Sequence, residues 1–393
     1  MIMFGWLFLW YLTTDFTFIA LYPSAMWNPV PVLDLVGLTM QPSLLTIQVL
    51  KIIWLTSLAM ACVGLFTRYA IAVAFVIGFY MLGAMHSFYK VNHSDAGLLL
   101  AMFVLSFSRC GDAFSIDAIR QAARHRGQFR FAPSGEYSWP LHMIRLVWAT
   151  IFFLAGVAKL RQSGFEWMFT DNMMNLILRK QVNWEPPTEL GLFFVKYPWT
   201  CVAMSAGAVV IEIAAPLVLI SRIARLLIVP SMLGMQIGIR LIMGDDFTQF
   251  MSIYLFFVPW ALVGAWTLRS VPAKPSVEVL YDGNCGLCGK TVAVLRRIDL
   301  FGRLRFRDVV ADWQAIQTDH KQLDRDAVLM DMHVVSHAGQ VSVGYEAYRR
   351  IARSVPLGWL CLPLLYLPGV SYIGRRVYRR VADHRMSGGH CTI

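Results

Sequence analysis

The sequence predicts an α-helical polytopic membrane bundle of about eight spans, followed by a small α/β domain. Of the 393 residues, 57% are hydrophobic and 15% are charged, whereas a soluble protein of this length carries roughly a quarter charged residues. The long apolar runs are confined to residues 1–268. Residues 277–393 mix charged with apolar residues as soluble domains do, and two prolines punctuate the linker 269–276 between the two regions.

The apolar runs of residues 1–268 are long enough to cross a bilayer, which takes about 20 residues. Candidate spans lie near 4–22, 45–65, 69–88, 94–110, 140–161, 199–221, 224–243 and 249–268. Met1–Leu21 lacks a basic start and a cleavage site, so we expect it to remain as the first span. The stretch 162–198 contains a Glu-Pro-Pro break and is expected to be an interfacial, re-entrant or amphipathic segment.

The basic residues orient these spans. With a cytoplasmic N-terminus, the inside loops hold ten lysines and arginines and the outside connections hold five. The positive-inside rule then predicts an inner-membrane, multi-pass protein with a cytoplasmic C-terminal domain. The net charge of +11 is explained by contact with anionic lipid. No basic-aromatic recognition motif accompanies the charge, so nucleic acid is not an expected partner.

A Cys-X-X-Cys pair opens the C-terminal domain. VEVLYDG (277–283) predicts a strand, Cys285-Gly-Leu-Cys288 follows it, and an amphipathic helix continues to about Ile298. A cysteine at a helix N-terminus meets free N–H groups and the helix dipole, which favour the thiolate. The second cysteine, one turn later, can resolve a mixed disulfide. We therefore predict a redox-active pair.

The segments that follow complete a thioredoxin-like domain. LRFRDV (304–309), AVLMDMHVV (327–335) and QVSVG (340–344) predict strands, and EAYRRIARSV (346–355) predicts a helix. The resulting βαβ–ββα order is consistent with a thioredoxin-like fold. No proline precedes AVLMDMHVV, where thioredoxins place a substrate-contacting cis-proline.

Two other interpretations of the cysteine pair stay open. A zinc knuckle needs two further ligands, and His384, His390 and Cys391 lack a matching spacing. In the second alternative, the cysteine pair is inert and has neither a redox role nor a metal-binding role. We expect no metal site, and the seven cysteines do not form an extracellular disulfide framework.

The C-terminal region resembles the DCC family of thiol-disulfide oxidoreductases. YDGNCGLC, VGYEAYRRIA and the terminal YRRVADHR…HC carry the resemblance. The family motif, Asp-X-X-Cys-X-X-Cys, corresponds to Asp282, Cys285 and Cys288. Asp282 either tunes the thiol or shapes the turn.

Two polar residues near the apolar segments are candidates for proton chemistry. His93 lies in VNHSDAGLLL and Lys159 lies in FFLAGVAKL; the proposed topology places both at the outer side, opposite the cysteines. A lysine in apolar surroundings can act as a general base, and a histidine can relay the proton or bind an oxyanion. Alternatively, Lys159 extends its amine to the interface and His93 is structural.

The sequence segments around His93 and Lys159 resemble the HTTM domain, which is shared with vitamin K-dependent gamma-glutamyl carboxylase. The resemblance implies that Lys159 is the base that deprotonates a vitamin K-like hydroquinone and that His93 stabilises the glutamyl carbanion or its oxyanion. Glu212 resembles an intramembrane acidic position of that domain, and Glu212 and Trp167 are candidate contacts to the quinone cofactor.

This chain departs from the carboxylase pattern in two respects. Gln236 stands near a place where family members commonly carry a histidine, and the large lumenal domain that binds propeptide in the animal enzyme is absent. Carboxylation of a protein substrate is therefore in doubt, although quinol deprotonation can survive.

Three functional hypotheses follow. The first is a membrane-bound redox enzyme that combines a thiol-disulfide oxidoreductase module with a quinol-using, carboxylase-like membrane domain. The second is a thiol-disulfide oxidoreductase for a protein or peptide substrate, with the membrane domain as anchor and substrate dock. The third is a non-enzymatic transporter or maturation factor.

Overall fold

A computed structural model describes residues 1–88, 93–124, 134–182, 188–260, 263, 277–299, 301–367 and 369–386, without the side chains of His93, Ser94, Leu360 and residues 384–386. The chain forms two compact units. The membrane unit comprises Met1–Gly111 and Pro133–Val258, and the thiol unit comprises Asp112–Ala132 and Pro259–Ile393. The linker 269–276 lies outside the described residues, so the boundaries on either side of it stay predictions.

The membrane unit is helical throughout its described residues. Its helices are α1 (Ile2–Thr13), α2 (Phe18–Leu21), α3 (Pro31–Leu35), α4 (Leu44–Val63), α5 (Thr67–His86), α6 (His93–Ser106), α8 (Gly135–Ser163), α9 (Glu166–Phe169), α10 (Asn172–Val182), α11 (Glu189–Lys196), α12 (Pro198–Ala214), α13 (Leu217–Ile220), α14 (Arg222–Met243) and α15 (Thr248–Met251), with 3₁₀ turns at Ser24–Met26 and Ser252–Phe256. Its core centres on large side chains from several helices, including Phe16, Trp54, Trp148 and Phe250.

Four of these helices are long and apolar enough to cross a membrane. They are α4, α5, α8 and α14, and the pair α11 and α12, bent by 102°, would make a fifth span if it counts as one. The prediction of about eight spans is therefore not confirmed. Interfacial or re-entrant character for the stretch 162–198 stays a prediction, and part of that stretch, 183–187, lies outside the described residues.

A helix break interrupts the first predicted span, and residues 261–262 and 264–268 of the last predicted span lie outside the described residues. A helix of 12 residues such as α1 covers about 18 Å at 1.5 Å per residue, well short of the roughly 30 Å hydrocarbon core. It ends where Thr13 and Thr14 bond back to the Trp10 carbonyl. Apolar composition alone gives no sign of this break, which interrupts the predicted 4–22 span.

The thiol unit contains a four-stranded sheet with helices around it. Its elements are α7 (Ile116–Arg124), β1 (Val277–Tyr281), α16 (Gly286–Ile298), β2 (Leu304–Asp308), α17 (Trp313–Asp319), α18 (Arg325–Met330), β3 (His333–Ser336), β4 (Val341–Val343), α19 (Tyr345–Ser354), a 3₁₀ helix at Pro356–Cys361, α20 (Leu362–Leu365) and α21 (Val370–Met386). The strand order is β2-β1-β3-β4.

Strand β1 runs through the middle of this sheet. It pairs parallel with β2, where Val279 lies opposite Phe306, and antiparallel with β3, where Val279 lies opposite Val334. Because successive strand residues point to opposite faces, Val279 packs in one apolar cluster and Leu280 in another. The predicted βαβ–ββα order is present, with α17 and α18 inserted before β3.

The predicted strand 327–335 is wrong in its first half. Residues 327–330 belong to α18, and β3 begins only at His333. The Asp324 side chain caps α18 by accepting a hydrogen bond from the Ala327 amide at 3.1 Å. This local cap favours a helix over an extended segment, although AVLM fits either conformation.

One helix of the thiol unit, α7, lies in the sequence between two helices of the membrane unit, α6 and α8. Helix α7 packs against α16, the helix that carries the cysteine pair. The Ser115 hydroxyl caps α7 by accepting from the Ala118 amide at 2.8 Å. Ala118 and Ala122, one turn apart, are both buried, and their small side chains allow close approach of a neighbouring element.

Candidate functional site

The cysteine pair lies at the junction of β1 and α16, as the sequence predicts. Cys285 is the N-cap residue of α16, and its Sγ accepts a hydrogen bond from the Cys288 amide at 3.4 Å. No disulfide joins the two cysteines, and both are buried, Cys285 at 2% exposure and Cys288 at 6%. A sulfur at a helix start that faces a backbone donor is placed to carry negative charge.

The turn before Cys285 is built from two carboxylates. Asp282 Oδ1 accepts from the Asn284 amide at 2.9 Å, which is the turn-shaping role considered from the sequence. Asp308, at the end of β2, accepts from the Gly283 amide at 3.1 Å and from the Val310 amide at 2.8 Å. The sequence analysis missed Asp308, which only the parallel pairing of β1 and β2 brings to the turn.

A groove of about 460 Å³, bordered by α19 and α21, reaches Cys288 of the pair. Cys288 lines this groove, together with Leu287 and Thr291 of the same helix. Met332, directly before β3, also lines it. The remaining wall is apolar and aromatic, with Tyr345, Tyr348, Leu365, Val370, Ile373, Gly374, Val377, Tyr378, Val381 and Ala382.

Hydrogen bonds and ion pairs hold the α21 wall in place. The Tyr378 hydroxyl accepts from the Met332 amide at 3.0 Å, and burial raises the pKa of Tyr378 above its usual value. Arg375 donates to Glu346 at 2.8 Å. This hydrogen bond, together with Arg349, lowers the pKa of Glu346 although partial burial opposes the shift.

In the membrane unit, the structure brings Lys159 and Glu212 together. The Lys159 ammonium, on α8, donates to both carboxylate oxygens of Glu212, on α12. The ammonium also lies over the Trp167 ring, 4.9 Å from its centroid. Three residues singled out from the sequence therefore form one cluster, although they are up to 53 positions apart.

The Lys159–Glu212 pair borders a cavity of about 500 Å³. Apart from this pair, Ser231 and Asp245, its wall is apolar or glycine: Trp167, Met173, Leu176, Ile177, Met204, Gly207, Ala208, Ile211, Gly234, Met235, Gly238, Ile239, Ile242, Met243 and Phe247. A Cβ atom added at Gly207, Gly234 or Gly238 would meet nothing within 4 Å. Three glycines thus keep part of this space open.

His93 begins α6, but its side chain lies outside the description, so its role as partner of Lys159 stays a prediction. A neighbouring pair was not predicted from the sequence. His86 Nε2 lies 2.7 Å from Asp95 Oδ2, and the Gln249 side-chain amide donates to Asp95 Oδ1 at 3.5 Å. Gln236 is buried in α14 and is absent from the cavity wall.

Among the described residues, no group of three or more His, Cys, Asp and Glu side chains is placed to hold a metal ion. The ligands considered for a zinc knuckle, His384, His390 and Cys391, have side chains outside the description. The structure therefore adds nothing in favour of the zinc alternative.

Two family models match the chain. The model of the HTTM domain matches residues 1–237, and that of the DCC1-like thiol-disulfide oxidoreductases matches residues 279–389. An uncharacterised chloroplast protein of Arabidopsis thaliana is 33% identical over 90 residues, which cover 23% of this chain and 42% of that protein. The chain thus spans less than half of the length of this relative. No solved structure matches.

Proposed function

Because the chain belongs to the HTTM family and carries a DCC1-like thiol-disulfide oxidoreductase domain, we propose that it is a membrane-bound thiol-disulfide oxidoreductase whose redox pair is Cys285 and Cys288. The observation that carries this proposal is the placement of Cys285 as the N-cap of α16, with the Cys288 amide donating to its sulfur. This geometry favours a thiolate at Cys285 and a second sulfur one turn away.

The proposed reaction is a two-step exchange with a substrate disulfide. The Cys285 thiolate attacks one substrate sulfur, the substrate disulfide breaks, and one substrate thiolate leaves and takes up a proton. Cys288 then loses its proton and attacks the Cys285 sulfur, which releases the second substrate thiol and forms the Cys285–Cys288 disulfide. Two electrons pass from the pair to the substrate, and a dithiol reductant returns the pair to its starting state.

Trapping the mixed disulfide tests this order of attack. Full-length Cys288→Ala, incubated with glutathione disulfide in detergent, should accumulate a covalent glutathione adduct at Cys285, detected by mass spectrometry. Cys285→Ala should accumulate little adduct at Cys288. Cys361→Ala, which removes an exposed thiol of the same unit, is the control and should behave as the parent chain. Equal adduct on both variants, or none on either, would refute the assignment.

A second activity is proposed for the membrane unit: proton transfer on a lipophilic hydroquinone in the cavity beside Lys159. The apolar wall suits a ring and its hydrocarbon tail, and the Lys159–Glu212 pair supplies the charged end that fixes ring hydroxyls. A bound hydroquinone would supply the acidic hydroxyl and the reducing power. Carboxylase-like use of that chemistry is part of this proposal.

The ion pair sets a condition on that proton transfer. In the pair, Lys159 already carries the proton that a general base must lack. It can accept a proton only after passing its own to Glu212. We therefore assign Lys159 and Glu212 as a unit that holds one transferable proton, with Trp167 limiting the position of the ammonium.

Filling the cavity tests the second activity without disturbing the pair. Gly207→Leu and Gly238→Leu should abolish retention of a radiolabelled naphthoquinone by the full-length protein in nanodiscs, because their side chains would occupy open space. Val210→Leu, at an exposed position of α12, is the matched control. Unchanged retention in the glycine variants would contradict a quinone site here.

Genetic experiments distinguish these proposals from two alternatives. In the first the membrane unit is only an anchor, and in the second the protein is a non-enzymatic maturation factor. If the units act together, Lys159→Ala and Cys285→Ser should abolish the same cellular phenotype. Loss with Cys285→Ser alone would leave the membrane unit as an anchor and substrate dock. Loss with neither would point to the maturation factor.

A further inference from the structure

The exposed apolar side chains of the thiol unit are concentrated near its C-terminal end. Among the described side chains between residues 277 and 381, nine of the thirteen large apolar or aromatic ones that are well exposed lie within 357–381. They include Trp359 at 58%, Leu364 at 62% and Ile373 at 61% exposure. Scattered exposed apolar residues are ordinary, but a concentration of this kind marks an interaction surface.

Helix α21 supplies the centre of this surface. Val370, Ile373, Val377 and Val381 are spaced by three and four residues and so share one face of the helix. A neighbouring side of the helix faces the unit, because Ala382 is buried and the Tyr378 hydroxyl accepts from the Met332 amide. The helix is therefore held with its valine and isoleucine stripe outward rather than toward the core.

The positive charge of the thiol unit is concentrated in the same region. Residues 337–383 contain seven arginines and two acidic residues, whereas residues 277–336 contain eight basic and nine acidic residues. Arg376 and Arg380, on α21, are exposed beside the apolar stripe. Exposed apolar side chains flanked by arginines, with tryptophan and tyrosine among them, are typical of helices that lie in a membrane interface.

We propose that the surface formed by residues 357–381 contacts the lipid bilayer, with the α21 stripe immersed among the acyl chains and its arginines at anionic headgroups. The same chain carries candidate membrane spans, and the connection from Val258 to Val277 reaches at most about 65 Å when fully extended. The bilayer is therefore always within reach. A protein partner would suit the apolar stripe as well, whereas anionic headgroups of the bilayer suit both the stripe and the excess of arginine.

The groove beside Cys288 opens on this surface. Val370, Ile373, Val377 and Val381 line the groove and also form the stripe. Contact with the bilayer brings this mouth of the groove to the lipid phase. Molecules that approach Cys288 through the groove then come from the membrane side.

The test measures depth in lipid with the full-length protein. In a background with Cys110→Ser and Cys361→Ser, which removes two exposed thiols, a single Ile373→Cys is labelled with the fluorophore NBD and reconstituted into vesicles that contain phosphatidylglycerol. The matched control is Met330→Cys, which is also exposed, at 54%, but lies outside the surface. Lipid-borne doxyl groups and aqueous iodide serve as quenchers.

NBD at position 373 should be quenched at least twofold more strongly by doxyl lipid than NBD at position 330, and correspondingly less by iodide. Adding Arg376→Glu and Arg380→Glu should reduce the doxyl quenching at position 373. The proposal is overturned if iodide quenches both positions equally. It is also overturned if position 373 is shielded from both quenchers, since a protein partner or a second copy would then cover it.

Discussion

At the residue scale, Gly283 fixes the turn that delivers Cys285 to the start of α16. An added Cβ at this position would collide with the carboxylate of Asp308, which accepts the Gly283 amide. Glycine is therefore required by close approach rather than by an unusual backbone angle. The same carboxylate bonds the Val310 amide, so it cannot move aside without losing a second hydrogen bond.

Gly283→Ala should lower the free energy of unfolding of the thiol unit by about 1–3 kcal/mol, the usual cost of a local steric clash combined with a broken hydrogen bond. It should also change the alkylation rate of Cys285. The control is Gly289→Ala, inside α16, where an added Cβ meets open space. This change should be neutral or stabilising by up to about 1 kcal/mol. Chemical denaturation of both full-length variants makes the comparison; equal losses would contradict the role of Gly283.

Glu346 gives the thiol unit a component of stability that depends on pH. Its pKa lies below the ordinary value of 4.5 because Arg375, and then Arg349, stabilise the carboxylate. A lowered pKa in the folded state means that this contribution is fully present above 4.5 and is lost as the pH falls through the folded value. The carboxylate is partly exposed, so solvent and salt screen the effect.

Glu346→Gln should therefore flatten the acid dependence of stability. Comparing the apparent Tm of the two chains between about pH 6 and about pH 3 measures the effect. The parent chain should lose more stability than the variant in this range, although both retain the acid dependence of Asp319, whose pKa Arg307 also lowers. Parallel curves would show that the ion pair contributes nothing measurable.

At the element scale, α7 joins the thiol unit through the helix that carries the cysteines. Ala118 and Ala122 are buried there, and a large side chain at either position would push α7 away from its neighbours. We expect Ala122→Arg to raise the rate at which iodoacetamide alkylates Cys285 and Cys288 severalfold. Arg124→Ala, at the exposed end of α7, should leave the rate unchanged. Identical alkylation rates in the two variants would show that α7 does not control access to the thiols.

The elements differ in how well the sequence alone predicts them. The order of β1, the Cys-X-X-Cys pair and α16 was predicted correctly. Each of these elements has a local pattern: strand-forming residues, then turn residues, then the apolar spacing of an amphipathic helix. The segment 327–335 was mispredicted because its apolar run fits helix and strand equally, and the Asp324 cap decided the outcome. The Lys159–Glu212 contact spans 53 positions, and no local pattern encodes which helices pack together.

At the scale of the whole molecule, the number of spans depends on helix breaks that hydropathy cannot detect. Composition separated an apolar region from a soluble one, and the HTTM and DCC1-like matches agree with that division. Within the described part of the chain, the structure supports four spans or five, so the side of the membrane on which the thiol unit lies must be tested directly.

Met330 offers such a test because it is exposed in the thiol unit, at 54%, and lies outside the surface 357–381. In a background with Cys110→Ser and Cys361→Ser, a membrane-impermeant maleimide should label the Met330→Cys variant only after cells are permeabilised, if the thiol unit is cytoplasmic as the positive-inside rule predicts. The same background without Met330→Cys provides the control for labelling elsewhere. Labelling of the Met330→Cys variant in intact cells would place the unit on the outer side.

The central claim, that Cys285 and Cys288 form one redox pair, is tested most directly by a redox titration of the full-length protein in nanodiscs. After equilibration in glutathione buffers, free thiols are alkylated and counted by mass spectrometry. The account predicts that both cysteines oxidise together in a single two-electron transition, with a potential between about −270 and about −120 mV, the range of known thiol oxidoreductases. Separate one-thiol transitions, or a Cys285 that stays reduced in every buffer, would contradict it.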